Sequence, residues 1–202
     1  MFKAMIRILS LLAALALTAC VSPATTDPAE LPSGEWALDP GHTSVTWRVR
    51  HLGLSWYTAR FDTAEASLTF DPASPEAAQL TAIVDAASVS TGDREFDETL
   101  RGSGWFDAER HPEIVFRSNR IEVTGETTGR IHGELTLKGV TADAVLETEF
   151  YGGTFNPLER AQALGFGASM TVDRTSFGVG NLPGNFIGDE VRLRIEAEFL
   201  RK

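Results

Sequence analysis

The chain has 202 residues, 43% of them apolar, and a formal charge of −10. That length suits one well-filled domain, or one hollow domain with a lined interior, and argues against two full domains. The acidic balance and the absence of a concentrated basic stretch exclude a nucleic-acid partner, because phosphate binding needs a basic surface.

The N-terminus reads "MFKAMIRILSLLAALALTAC": Lys3 and Arg7 precede an apolar run from Ile8 to Leu17, and small residues follow. This is the pattern of a secretory signal. The run is short against the roughly 20 residues of a bilayer span, so removal is expected rather than retention as a membrane helix. Cys20, the only cysteine, closes the segment in "LTAC", which resembles the lipobox of bacterial lipoproteins. Residues 1–19 are therefore expected to be a lipoprotein signal peptide, with Cys20 the lipidated mature N-terminus. The competing reading is an incidental cysteine, but a lone exported thiol favours modification. No aspartate follows in "VS", so the resemblance makes the outer membrane the default destination, facing the periplasm. From Val21 to about Ser33 the prolines and the lack of apolar period suggest a flexible tether, which places the boundary at 20–34 and the folded domain at 35–202.

Alternation then dominates. Val45, Trp47, Val49 and His51 share one strand face, with Thr46, Arg48 and Arg50 on the other. Ala66, Leu68 and Phe70 repeat the pattern, as do Ile114 and Phe116, and Ile131, Gly133, Leu135 and Leu137. Two late runs are the clearest: Leu164 to Val172, and Val191 to Phe199. Eight or nine such runs imply an all-β, antiparallel fold. Alternation alone does not separate barrel from sandwich. Runs of about ten residues, roughly 30 Å long, suit a tall tilted barrel of about eight strands. The exception is "DREFDETLRG", Asp93 to Gly102, where Phe96 and Leu100 fall four apart and predict one short helix.

The chemical constellations fail. His42 and His51 are an odd number of steps apart on one strand, so they lie on opposite faces and cannot share a metal. No histidine pair shows metal-ligand spacing, and zinc is not expected. The alternating acids Asp93, Glu95 and Asp97 begin like a calcium loop, but Glu98 stands where the glycine should be, which leaves a solvated helix face. The glycines of "GVGNLPGNFIG", Gly178 to Gly188, lack dinucleotide spacing and suggest a flexible connection at a barrel mouth. No catalytic residue and no cofactor emerge, and an enzyme is not expected. Aromatics carry more signal. Trp47, Phe61, Phe70, Phe116, Phe150, Phe166 and Phe177, with Met170 among them, recur at inward positions or strand ends. They are either ordinary core or, with Val49, the lining of a cavity for a long apolar ligand. His51 is either a hydrogen-bonded core histidine or a polar fixture for a headgroup.

Four stretches, "LDPGHTSVTWRVRHLGLS", "STGDREFDETLRGSGWFDAERHPEIVFRS", "GELTLKGVTADAVLETEF" and "FGASMTVDRTSFGVG" followed by "IGDEVRLRIEAEF", resemble the YceI-like proteins in order and spacing. The resemblance covers Trp36 to about Leu200. It implies an extended lipocalin-like barrel of eight antiparallel strands with one helical excursion, in a periplasmic carrier of polyisoprenoid or related lipids such as quinones. His51 and Arg174, the latter in the Arg-x-x-Phe-Gly turn, would then meet the polar end of the ligand. Many family members carry arginine and histidine where this chain has Phe96 and Thr99, and glycine in place of Ala59, so this edge is more apolar here. A filled barrel acting as a protein-interaction module is the alternative, and pairing of two domains into a homodimer is left open.

Overall fold

The computed structural model describes residues 23–202, so the expected signal peptide and Cys20 lie outside the described residues. Eleven strands form one antiparallel sheet: β1 (Gly34–Leu38), β2 (Ser44–His51), β3 (Ser55–Phe61), β4 (Ala64–Phe70), β5 (Gln79–Asp85), β6 (Val89–Ser90), β7 (Glu113–Val123), β8 (Thr128–Leu137), β9 (Val140–Asn156), β10 (Ala161–Asp173) and β11 (Ile187–Arg201). The single α-helix among the described residues, α1, spans Arg94–Arg101. The order β1-β4-β5-β7-β8-β9-β10-β11 is closed by pairing of β1 with β11, which makes an eight-stranded barrel. β2, β3 and β6 extend it beyond one end.

Those three extensions are the far halves of long, broken strands. β1 and β2 lie in succession along β11, and β3 and β4 pair with them as one interrupted hairpin. The first break falls at Pro40–His42, where proline cannot donate to the ladder and the Asp39 carboxylate accepts from Gly41 N at 2.9 Å. The other breaks lie beside each other: Asp62 N donates to Ser88 O and Asp85 N to Thr63 O. Such interruptions bend strands and raise local twist, which helps a sheet of long strands to close.

Alternation places the core inside. Three buried clusters succeed one another along the barrel. The upper holds Val45, Trp47, Val49, Phe61 and Leu100, and the middle holds Phe116, Leu135, Leu146, Met170 and Phe177. The lower holds Leu31, Trp36, Leu68, Phe70, Leu164 and Phe199. β6 is two residues long and β7 starts lower, so the upper wall is completed by α1 and the loop after it. Leu100, Trp105 and Phe106 all pack against the upper cluster.

Two local expectations are corrected. The stretch before the barrel is not free up to Ser33: Thr25 and Gly153 exchange backbone hydrogen bonds of 2.9 and 2.8 Å, and Leu31 is buried in the lower cluster. The acids of α1 are not all solvated either. Asp93 caps the helix through Glu95 N and Phe96 N, whereas Asp97 is buried and accepts from both the backbone N–H and the hydroxyl of Thr91.

Candidate ligand-binding interior

The inward faces leave space between the clusters. Three chambers follow one another, with volumes of about 110 Å³ (upper), 150 Å³ (middle) and 130 Å³ (lower). Together they reach the lower end of the roughly 300–1,000 Å³ of small-ligand sites. Neighbouring chambers share walls. Val45, Val84, Ile114, Leu135 and Leu193 border both the upper and the middle, and Leu68, Leu80, Ile131, Thr148 and Phe166 border both the middle and the lower. Each partition is thus a layer of common side chains, and its displacement would join two chambers into one channel. At the lower partition the Phe166 ring lies 5.7 Å from Phe70, 5.0 Å from Phe150 and 5.9 Å from Phe199, in tilted or edge-on contacts favoured by ring quadrupoles.

Most of the residues expected from the sequence meet in this interior. Trp47, Val49, Phe61 and Arg174 border the upper chamber; Phe116, Phe166 and Met170 the middle; Phe70, Phe150 and Phe166 the lower. Phe177 is buried in the middle cluster and lines none of the three. His51 is the exception that corrects the strand-parity reading. It ends β2 opposite Ser55 and Ile187, its side chain is exposed, and it borders none of these chambers. Its cross-strand neighbour Ile187 does line the upper chamber, beside the register shift of β11 between Ile187 and Val191, but the His51 side chain itself is turned to solvent.

Arg174 is inward, yet it is not free to meet a ligand. Its Nε donates to Gly188 O at 3.0 Å, one terminal nitrogen to Val179 O and Gly180 O, and the other to Leu182 O, Ile187 O and the Asp189 carboxylate. With the whole planar fork engaged, Arg174 organises the Gly178–Gly188 connection, which is therefore not the loose loop its glycines suggested. The residues that sequence reasoning missed include Leu100, Trp105 and Phe106 of the helical excursion, which border the upper chamber. The spacing of Phe96 and Leu100 marked an apolar face, but nothing in it said which opening that face covers.

Outside the barrel, ligand atoms of Asp39, His42 and Glu198 lie within 4.8 Å of one another, the one group among the described residues with this geometry. Its members already have local partners: His42 Nδ1 is 2.8 Å from Asp39, whose other oxygen caps the turn. This hydrogen bond is the main reason the Asp39 carboxyl is held below its ordinary pKa and the His42 ring above its own.

Comparison with known proteins agrees with this architecture. The profile described as YceI-like domain matches residues 36–199. A UPF0312 protein of Ectopseudomonas mendocina is 32% identical over 149 residues, covering 73% of this chain and 78% of its own. Among solved structures, the YCEI protein of Campylobacter jejuni superposes with a TM-score of 0.69 at 26% identity, over 90% of this chain and 99% of the other. A polyisoprenoid binding domain from Saccharophagus degradans, implicated in plant cell wall breakdown, shares the fold with a TM-score of 0.61 at 13% identity, over 85% of this chain and all of the other.

Proposed function

The chain belongs to the YceI-like family, and from that premise we propose that it is an envelope lipoprotein whose barrel binds an amphiphilic isoprenoid, a polyprenyl lipid or a quinone, for storage, transport or sequestration. It is a binding barrel, not an enzyme. The observation that carries the reading is the succession of three chambers with shared lining side chains, apolar in the upper and middle and mostly so in the lower. Such a column suits a long, thin hydrocarbon, each methylene of which contributes about 0.8 kcal/mol on burial before ordering costs. The polyisoprenoid-binding relative of the same fold supports the ligand class. A packed barrel serving only as an interaction module would leave no such column.

Lipidation of Cys20 would then hold the lower end of the barrel close to the bilayer. Thr25, only five residues on, is fixed to Gly153, and five residues span at most about 18 Å. Cys20→Ser is expected to move the protein from the membrane to the soluble periplasmic fraction, and unchanged fractionation would contradict the anchor. With the released protein in hand, titration against prenyl lipids of increasing chain length tests the interior. Affinity should rise with length until the column is filled, whereas indifference to length would count against a channel for tails.

A further inference from the structure

Two adjoining loops at the upper end carry four of the ten large apolar side chains left exposed among the described residues. Leu52 and Leu54 lie in the turn between β2 and β3, Leu54 at 83% exposure, and Leu182 and Phe186 lie in the connection before β11. Leu52 N donates to Phe186 O at 2.8 Å, and Arg174 donates to the carbonyls of Leu182 and Ile187, so the loops are held together and the patch is fixed in place. Apolar residues scattered over a surface are ordinary, whereas a cluster of them on one tip marks a contact site. The turn itself adds a second observation. Leu54 N closes it on His51 O at 2.9 Å, and the two residues between, Leu52 and Gly53, have φ of +52° and +69°. Such turns favour glycine, asparagine or aspartate, and among the described residues Leu52 is the only apolar side chain at positive φ. A leucine that is both strained and exposed contributes little to folding, which points to a contact outside the chain.

Behind the tip the wall is basic, in a chain of charge −10. On the outer face of β2, β3 and β11 the guanidinium carbons of Arg48, Arg50 and Arg192 lie 4.8, 5.2 and 4.8 Å from the centroid of a Trp56 ring. Arg48 stands directly opposite Arg192 in the ladder, a like-charge pairing that costs stability. Arg192 pairs with Glu190, whereas Arg48 and Arg50 have no acidic partner among the described residues. The loops ahead of them, residues 52–55 and 181–188, carry no charged side chain. We propose that this tip docks on an anionic lipid bilayer: Leu52, Leu54, Leu182 and Phe186 enter the interfacial layer, Arg48, Arg50 and Arg192 meet lipid phosphates, and Trp56 sits at the level of the headgroups. An apolar point ringed by arginines and a tryptophan matches the layered polarity of such a surface. An acidic protein would answer the arginines and leave the apolar point uncovered. Docking sets the upper chamber, which Ile187 borders, against the membrane, at the end opposite the Thr25–Gly153 clasp. It does not depend on which cargo the barrel carries.

The test uses the Cys20→Ser protein, so that no anchor contributes, and its sedimentation with vesicles of phosphatidylcholine alone or in equal parts with phosphatidylglycerol. The protein should bind the anionic vesicles more tightly than the neutral ones despite its own negative charge, and less as salt is raised. Arg48→Gln and Arg50→Gln should each weaken binding to the anionic vesicles roughly fivefold and leave binding to the neutral ones within about twofold. Leu52→Asn separates docking from folding: it should weaken binding about threefold while holding or raising the denaturation midpoint, because asparagine accepts positive φ. Leu158→Ser, which removes an 88% exposed leucine from the β9–β10 turn near the opposite end, should leave vesicle binding unchanged. Failure to bind the anionic vesicles, equal affinity for both kinds, unchanged binding in Leu52→Asn or an equal loss in Leu158→Ser would each overturn the docking site. So would a dimer in sedimentation equilibrium that Leu52→Asn dissociates, since the tip would then be covered by a second copy of the chain.

Discussion

Arg174 donates to five backbone carbonyls between Val179 and Gly188 and pairs with Asp189, all from a buried position. Truncation would leave those carbonyls without their donor and Asp189 without its partner. Arg174→Ala is expected to cost about 3 kcal/mol, mainly from carbonyls left without a donor since Asp189 is half exposed, read as a lowered denaturation midpoint with early amide exchange across residues 179–188. Arg174→Lys should recover only part of this, because an ammonium offers three donors in place of a planar fork. A second residue-scale expectation concerns His42 and Asp39. The ring's pKa is raised, chiefly by its hydrogen bond to Asp39, so its contribution to stability is present below the ordinary value of about 6.5 and lost as pH rises through the folded value. The carboxyl is lowered, chiefly by the same bond, so its share is present above about 3.9 and lost as pH falls through the folded value. An NMR titration should place the His42 midpoint above the ordinary histidine value, and Asp39→Asn should bring it back down. A midpoint that ignores the substitution would remove Asp39 as the cause.

At the scale of elements, the clasp between the N-terminal segment and the β9–β10 hairpin depends on two glycines. Gly152 has φ of +114°, and a Cβ on it would come within 2.7 Å of Thr25 O. A Cβ on Gly153 would sit 2.7 Å from methyl carbons of both Leu31 and Leu164. Gly153→Ala should therefore destabilise the protein by about 1–3 kcal/mol through overpacking and open residues 25–31 to limited proteolysis, while the barrel strands stay protected. Protection of that segment at wild-type levels would contradict the clasp. The clasp was not legible in the sequence, because prolines without apolar period read as a tether, and the partner that fixes Thr25 lies 128 residues away in the chain. β10 and β11 were legible because both are long and alternate strictly over their paired lengths. The break at Ala86–Ser88 was not, since an aspartate-capped turn of three residues hardly disturbs the alternation on either side of it. His51 was misplaced for a related reason: parity assigns a face, but at the last residue of a strand beside a register shift it does not fix which side chain is turned to solvent.

At the scale of the molecule, the function follows from incomplete filling of a closed barrel. Eight strands enclose more space than their inward side chains occupy, and what remains is divided by shared side chains into three chambers rather than gathered in one hole. The apolar lining was readable in advance as a recurrence of inward aromatics, though ordinary core and cavity wall look alike in sequence. Phe177 proved to be the former, and Phe70, Phe150 and Phe166 the latter. Only the three-dimensional arrangement distinguishes them, because it depends on the volume left between opposite walls. The most direct measurement is organic extraction of the protein purified from its native envelope without added lipid, followed by mass spectrometry of the extract. The account predicts a long-chain isoprenoid recovered in near-stoichiometric amount, lost when a chamber is filled by Ala168→Phe in a protein that still folds. Recovery of no isoprenoid from the wild-type protein, or equal recovery from the filled variant, would contradict it.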